Sequence, residues 1–179
     1  MQCIIEEGYA AASARHIAER AGVTWGVIQY HFGDREALMM AVVDEGSDHL
    51  LQSLGTRLDV SPKLTVRSTA ERIVTAAWEA FSTPTSMAAL EILIATRADR
   101  EPAATQHLTN LATALGQLGL QIGRGLRTSH AAAVGNLLWA ALRGMVLAQM
   151  VVVTPIDTSK ERRALVNVIV AYIEQHQKL

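Results

Sequence analysis

The segment from Ile17 to Ile28 constrains the fold of this sequence more than any other. A small residue, Ala18, is followed four positions later by Gly22, and apolar residues surround the pair: Ile17, Ala21, Val23 and Ile28. Two helices that cross closely need a small residue where they touch and a turn residue that tolerates a positive φ angle. These features occur together within 12 residues, so we predict a helix-turn-helix from Ser13 to Phe32.

Polar residues mark the starts of both helices of this motif. Ser13 stands where it caps the first helix, and Thr24 stands where it caps the second. Trp25, Tyr30 and Phe32 either pack in the core or line an exposed helix face. Of these three aromatic residues, Phe32 is the one that we expect in the core.

The composition favours an all-α protein. Half of the residues are hydrophobic, only 4% are aromatic, and there are four prolines. Helical periodicity and capping residues predict nine helices, divided between a three-helix helix-turn-helix domain over residues 1–48 and a six-helix domain over residues 49–179. The single cysteine, Cys3, excludes a disulfide within the chain and fits a reducing cytoplasm.

One apolar segment, residues 131–156, resembles a membrane span in composition. Arg143 stands near its middle, where a charge is costly in a bilayer. A helix buried in a protein core or in a subunit interface is the favoured interpretation, and we predict no association with a membrane.

The charge distribution is unusual for a protein that binds nucleic acid. Residues 1–48 contain three arginines, no lysine and eight acidic residues. Nucleic-acid binding would therefore depend on the geometry of the motif and on few phosphate contacts. Enzyme motifs are missing as well: there is no nucleophile elbow, no glycine-rich phosphate loop and no histidine pair at metal spacing. We predict that the chain is not an enzyme and has no cofactor.

Gly8-Tyr9, followed by the run SARHIAERAGVTWGVIQYHFGDREALMMAVVDE from Ser13, resembles the tetracycline-repressor (TetR) family. The resemblance implies a homodimer that binds a double-stranded DNA operator and responds to a small-molecule effector. It also implies that the six-helix domain is a ligand-binding and dimerisation domain, in which helices between Val66 and Ile122 enclose a pocket and the last two helices form a four-helix dimer interface.

The resemblance implies DNA contacts by position. Ser13 and Arg35 would contact phosphates, and Arg15 would reach a phosphate or a base edge. All of the predicted contacts lie in the motif or just after it: Ser13, Arg15, Thr24, Trp25, Gly26, Gln29, Tyr30, His31 and Arg35. Trp25 and Gln29 depart from the family's usual residues, and they suit thymine methyl groups and adenine respectively.

The first helix looks like the tail of a longer one. The family usually has a full first helix preceded by basic residues. We expect residues before Met1, where present, to strengthen the three-helix core and DNA affinity.

The candidate pocket residues are mostly apolar, as is usual for ligand sites: Trp78, Phe81, Met87, Leu90, Ile94, Leu111, Leu115, Trp139, Arg143 and Met150. Trp78, Phe81 and Trp139 favour a core role over ligand contact. Arg143 needs a partner, which is a ligand carboxylate, an internal acid such as Glu91, or the dimer mate; the residues favour an internal partner.

Small and apolar residues on the last two helices predict the dimer interface: Ala132, Gly135, Ala140, Gly144, Val166, Ile169, Val170 and Ile173. The predicted function is a ligand-responsive, cytoplasmic transcriptional repressor that binds a palindromic operator. The alternative is a ligand- or partner-binding helical module whose helix-turn-helix no longer binds DNA.

Overall fold

The structure, a computed structural model, describes residues 1–57, 64–98, 102–152, 154 and 156–176, and within these ranges the chain is all-helical. Nine α-helices and one 3-10 turn follow one another in the described residues: α1 (Gln2–Glu7), the turn (Tyr9–Ala11), α2 (Ala14–Ala21), α3 (Trp25–Phe32), α4 (Arg35–Arg57), α5 (Val66–Phe81), α6 (Pro84–Ala95), α7 (Pro102–Gly125), α8 (Ala131–Val151) and α9 (Ser159–His176). The predicted all-α class is confirmed.

The chain packs as two compact units. The first joins Met1–Leu50 with Thr83–Leu108, and the second joins Leu51–Ser82 with Thr109–Leu179. The first unit therefore includes α6, which follows α5 in the sequence. The predicted division into residues 1–48 and 49–179 stays a prediction.

The core of the first unit is built from small contributions of several short helices. Its buried side chains come from α1 to α4 and from α6: Cys3, Ile4, Ala18, Ile28, Met39, Val43, Ala88, Ala89 and Ile92. Helices α4 and α6 approach closely, because a Cβ atom on Gly46 would lie 2.6 Å from the Ala89 side chain. A short helix such as α3 buries little by itself, so this unit depends on contacts between distant segments.

The second unit has a denser core, in which α5 packs against both α8 and α9. Phe81 of α5 and Trp139 of α8 meet edge to face with ring centroids 4.2 Å apart. Gly135 of α8 lies directly against the backbone of Gly119 on α7, leaving no room for a Cβ atom. The small residues in this unit therefore set how closely its helices approach.

Helix α8 could cross a membrane by length and composition alone. One side of it lies in the core of the second unit, where Leu138, Leu142 and Val146 are fully buried. That side is typical of a core helix in a globular domain, as predicted from the position of Arg143.

Candidate nucleic-acid interface

The turn between α2 and α3 has the predicted geometry. Ser13 caps α2, since its Oγ accepts a hydrogen bond from the His16 N–H at 3.2 Å. Gly22 ends α2 in the left-handed conformation with φ 68° and ψ 25°. The Val23 N–H then donates to the Ala18 carbonyl at 3.1 Å. This bonding pattern satisfies the end of the helix and turns the chain into α3.

The apolar contact that locks α2 to α3 is smaller than predicted. Ala18 and Ile28 are buried, with 5% and 7% of their surfaces exposed. Ile17 is half-buried, whereas Ala21 and Val23 are exposed. Two of the predicted locking residues thus lie at the surface, and the close approach depends mainly on Ala18 and Ile28.

Helix α3 exposes most of its length, and Ile28 is its one buried residue. Tyr30 is 86% exposed, Val27 45% and Phe32 41%. The core position predicted for Phe32 is therefore wrong: the residue lies in the last turn before Gly33, beyond the contact with α2 that Ile28 makes. Trp25 is half-buried, and the remaining predicted contacts on α3 and its cap are exposed: Thr24, Gly26, Gln29 and His31.

Val23 and Val27 are apolar residues of the motif that lie at the surface, 41% and 45% exposed. Val23 was predicted to lock the two helices together, whereas no role was predicted for Val27. An eight-residue helix buries only one narrow stripe. That geometric limit is the signal that assigns one of its apolar groups to the core and the others to the surface.

Thr24 occupies the cap position of α3 in an extended conformation, as predicted, but its side chain makes no capping hydrogen bond. The first backbone N–H groups of a helix carry partial positive charge and bind anions such as phosphate. The N-terminus of α3 therefore combines free donors with an exposed hydroxyl.

The arginines of α2 are paired with acids of the same unit. Arg15 lies 2.9 Å from Glu19, and both side chains are largely exposed. Arg20 contacts Glu6 at 2.6 Å and Glu7 at 2.5 Å, which ties α2 to α1. Hydrogen bonds from His16 and Arg20 hold the pKa of the Glu7 carboxyl below its usual range.

Arg35 lies in a different environment from the predicted phosphate contact. Its Nε donates to the Ala12 carbonyl at 2.9 Å and its Nη1 to the Tyr9 hydroxyl at 2.9 Å. The guanidinium also stacks over the Tyr9 ring, 4.6 Å from the centroid. Arg35 thus fastens α4 to the turn that precedes α2, and this role corrects the predicted one.

The same turn is held from α6. The Tyr9 N–H donates to Glu91 Oε1 at 2.6 Å. Glu91, which the sequence offered as a partner for Arg143, therefore bonds to the backbone of the first unit. Nothing local in the sequence links Tyr9 with Glu91, since the two are separated by 82 positions.

The predicted pocket residues are divided between the two units, so their assembly into one pocket stays a prediction. Phe81 and Trp139 are only 6% exposed and pack against each other. Arg143 is exposed on α8, so it is not the buried charge that the sequence suggested. The other candidates are half-buried except Ile94, which is 40% exposed: Trp78, Met87, Leu90, Leu111, Leu115 and Met150.

The predicted dimer residues separate into two groups. The four from α9 have at most 5% of their surfaces exposed in the single chain, and Gly135 is also buried: Val166, Ile169, Val170 and Ile173. These side chains pack in the core between α5, α8 and α9, so they do not form a continuous exposed face for a partner helix. By contrast, Ala132, Ala140 and Gly144 are exposed.

The exposed faces of α8 and α9 carry a second set of apolar residues, which we call the outer stripe: Ala133, Leu137, Ala140 and Gly144 on α8 with Ala164, Val168, Ala171 and Tyr172 on α9. Leu137 is 53% exposed and Val168 58%. Both apolar sides of α9 have helical spacing, so the inner side was predicted from the sequence and the outer side was not.

Comparison with known proteins places the motif in a family. Residues 1–42 match the family described as "Bacterial regulatory proteins, tetR family". The HTH-type transcriptional repressor AcnR of Corynebacterium efficiens is 34% identical over 53 residues, which are 30% of this chain and 28% of the relative. The HTH-type transcriptional regulator SrpR of Pseudomonas putida is 31% identical over 94 residues, 52% of this chain and 41% of the relative. The matched segments thus span less than half the length of these two relatives.

Solved structures extend the likeness in fold to nearly the whole chain. The TetR-family regulator PfmR of Thermus thermophilus superposes with a TM-score of 0.72 at 18% identity, covering 95% of this chain and 93% of that one. A bacterial regulatory protein in the tetR family from Rhodococcus RHA1 gives a TM-score of 0.71 at 14% identity, covering 96% and 91%. The first 42 residues thus match the tetR family of bacterial regulatory proteins in sequence, and nearly the whole chain shares the fold of solved tetR-family structures.

Proposed function

We propose that this protein is a transcriptional repressor that binds a palindromic DNA operator as a homodimer and responds to a small-molecule effector. The observation that carries the proposal is the exposure of α3. A helix that buries one residue, leaves Trp25 half-buried and exposes its remaining side chains suits insertion into a major groove.

The first contacts are with phosphates. The free N–H groups at the start of α3 and the Thr24 hydroxyl offer a site for one phosphate. Arg15 offers another, because its pair with Glu19 is exposed to solvent and such pairs contribute little. Ser13 uses its hydroxyl oxygen to cap α2 and retains its O–H for donation.

Base recognition falls to the exposed side chains of α3. Gln29 offers the donor and acceptor pair that suits adenine, and Tyr30 and His31 extend the polar surface. Val27, 45% exposed, adds an apolar contact for thymine methyl groups, as does the exposed part of Trp25.

Dimerisation would use the outer stripe. Small residues along α8 permit close approach of a second copy, and Leu137 and Val168 supply apolar area.

Replacing Leu137 with Glu places two charges in a symmetric interface, so we expect the dimer dissociation constant to rise by about 100-fold or more. Sedimentation velocity measures this, with Gln117→Glu on exposed α7 as the matched control; equal dissociation of both variants would argue against the outer stripe.

DNA binding is tested by titrating the full chain with DNA from upstream of its own gene at several salt concentrations. Tyr30→Ala should lower operator affinity about 10- to 100-fold without altering stability, because Tyr30 is 86% exposed. Ile5→Ala, which removes an exposed apolar side chain from the same unit, is the control. Absence of any salt-sensitive, sequence-selective complex would refute the proposal.

One observation favours a second candidate, a ligand- or partner-binding module that no longer binds DNA. Each of the three arginines in residues 1–48 is engaged within the chain, and eight acidic residues accompany them. This candidate predicts ligand binding without an operator. The proposed repressor would act in the cytoplasm.

A further inference from the structure

A groove of about 330 Å³ lies between α5 and the first two turns of α9 in the second unit. Three of its lining residues are arginines and one is an acid; the complete lining is Arg67, Glu71, Val74, Thr75, Ser159, Arg162, Arg163 and Val166. None of these residues belongs to the pocket predicted from the sequence.

The positive charge of this groove is not neutralised by ion pairs. Among the described residues, no carboxylate oxygen lies within salt-bridge distance of Arg67, Arg162 or Arg163. The nearby Asp157 accepts hydrogen bonds from the N–H and hydroxyl of Ser159, at 2.9 and 3.0 Å, and it attracts Arg162 and Arg163 from beyond salt-bridge distance. Unpaired guanidinium groups around a concave surface are a recognisable arrangement for an anion.

Two of the arginines are held in place by neutral partners. Arg67 Nη1 donates to Asn167 Oδ1 at 2.8 Å. The Arg162 guanidinium lies over the Trp78 ring, 4.4 Å from its centroid. These contacts restrict the two arginine side chains without cancelling their charge. The side chains therefore lose less conformational entropy when an anion binds. The N-terminus of the 18-residue helix α9 adds a favourable dipole.

The groove also has an apolar component. Val74 and Val166 line it and are otherwise buried, with 3% and 5% of their surfaces exposed. A purely inorganic ion would leave this component unused, whereas an anion with a hydrocarbon part would contact both surfaces.

Helix geometry keeps the groove clear of the proposed dimer surface. At about 100° per residue, Ser159, Arg162 and Val166 share one side of α9. The outer-stripe residues Ala164, Val168 and Ala171 lie on the opposite side. A second copy bound to the outer stripe would therefore leave the groove open.

We propose that this groove binds a small amphipathic organic anion. Arg67, Arg162 and Arg163 hold its phosphate or carboxylate oxygens, and Val74 and Val166 contact its apolar body. The site lies wholly in the second unit, so ligand binding there can be tested whether or not the protein binds DNA.

The test is calorimetric titration of the full chain with octyl phosphate, with inorganic phosphate and 1-octanol as separate probes. We expect one octyl phosphate per chain, weaker binding of inorganic phosphate, and no binding of octanol at the same concentrations. Arg163→Gln should weaken octyl phosphate about tenfold, since one charge-assisted contact is lost. Arg163 makes no hydrogen bond or ion pair with the described residues, so the variant should keep its fold.

The matched control is Arg72→Gln, which removes an exposed arginine of α5 outside the groove. Its affinity for octyl phosphate should stay within about threefold of the original. The proposal is overturned by absence of octyl phosphate binding, by equal binding of octanol or inorganic phosphate, or by a change in Arg163→Gln no larger than that in Arg72→Gln.

Discussion

Helix α3 and the pair α8–α9 both expose apolar side chains, but the two surfaces differ in kind. On α3, Tyr30 and Val27 alternate with the polar Gln29 and His31 over eight residues. On α8, small residues and Leu137 follow one side of a 21-residue helix. The first surface mixes hydrogen-bonding groups with apolar contacts, and the second is longer and mainly apolar.

Exposed apolar area must therefore be interpreted together with the polar or apolar residues that surround it. Base edges in a groove offer donors, acceptors and methyl groups, which suits the mixed surface of α3. A helix face of small residues suits another helix, because it permits close approach of two backbones. The structure supports α3 through a single buried residue, whereas it supports α8 along its whole inner side.

The largest effect is expected where α8 is fixed in its unit. Gly135→Ala would place a Cβ atom on the backbone of Gly119, so one of the two helices must move. We expect the free energy of unfolding to fall by about 3 kcal/mol, measured by urea denaturation. Gly116→Ala on α7 is the control, because nothing lies within 4 Å of its added Cβ; it should raise stability by about 0.5 to 1 kcal/mol. Similar losses in both variants would show that α8 is not packed as described.

A smaller effect should separate structure from binding within the helix-turn-helix. Ser13→Ala removes the hydrogen bond to the His16 N–H and should cost about 1 kcal/mol of stability. Thr24→Ala removes no capping bond, so it should change stability less while lowering DNA affinity. Thermal unfolding and DNA titration of both variants distinguish the two roles. A loss of stability in Thr24→Ala as large as in Ser13→Ala would contradict this assignment.

The smallest effect concerns pH and the link between α1 and α2. The pKa of Glu7 is lowered in the folded state by His16 and Arg20, so its stabilising contribution is present above the unfolded-state pKa of a glutamate. That contribution is lost as the pH falls through the folded-state pKa. The difference in melting temperature between the original chain and Glu7→Gln should therefore shrink towards low pH.

Glu45→Gln, at an exposed position of α4, provides the comparison for this titration. Its melting temperature should differ from that of the original chain by an amount that changes little with pH. A Glu7→Gln difference that stays constant down to about pH 3 would show that the ion pairs of Glu7 do not stabilise the fold.

The sequence predicted features that depend on neighbouring residues. The cap at Ser13, the turn at Gly22 and the small contact at Ala18 all follow from backbone requirements within a few positions. The all-α class follows from periodicity and composition. These rules need no knowledge of which distant segments meet.

Features that depend on distant partners escaped the sequence. Arg35 looked available for phosphate, but its partners Ala12 and Tyr9 precede it by 23 and 26 positions. Helix α9 has two apolar sides, and only packing against α5 and α8 shows which is inner. The groove of three arginines also requires α5 and α9 to be neighbours, and periodicity within either helix cannot show that.

The hydrogen bond from Tyr9 to Glu91 has a consequence for the order of events during synthesis. When the ribosome has synthesised α3 and most of α4, α6 has not yet been made. The first unit therefore cannot fold completely until α6, which follows α5 in the sequence, has been synthesised. Helix α5 likewise cannot complete its packing until α9, close to the end of the described chain, has been synthesised. Neither unit can be finished as a contiguous stretch, so a truncation before Thr83 would leave the helix-turn-helix without part of its support.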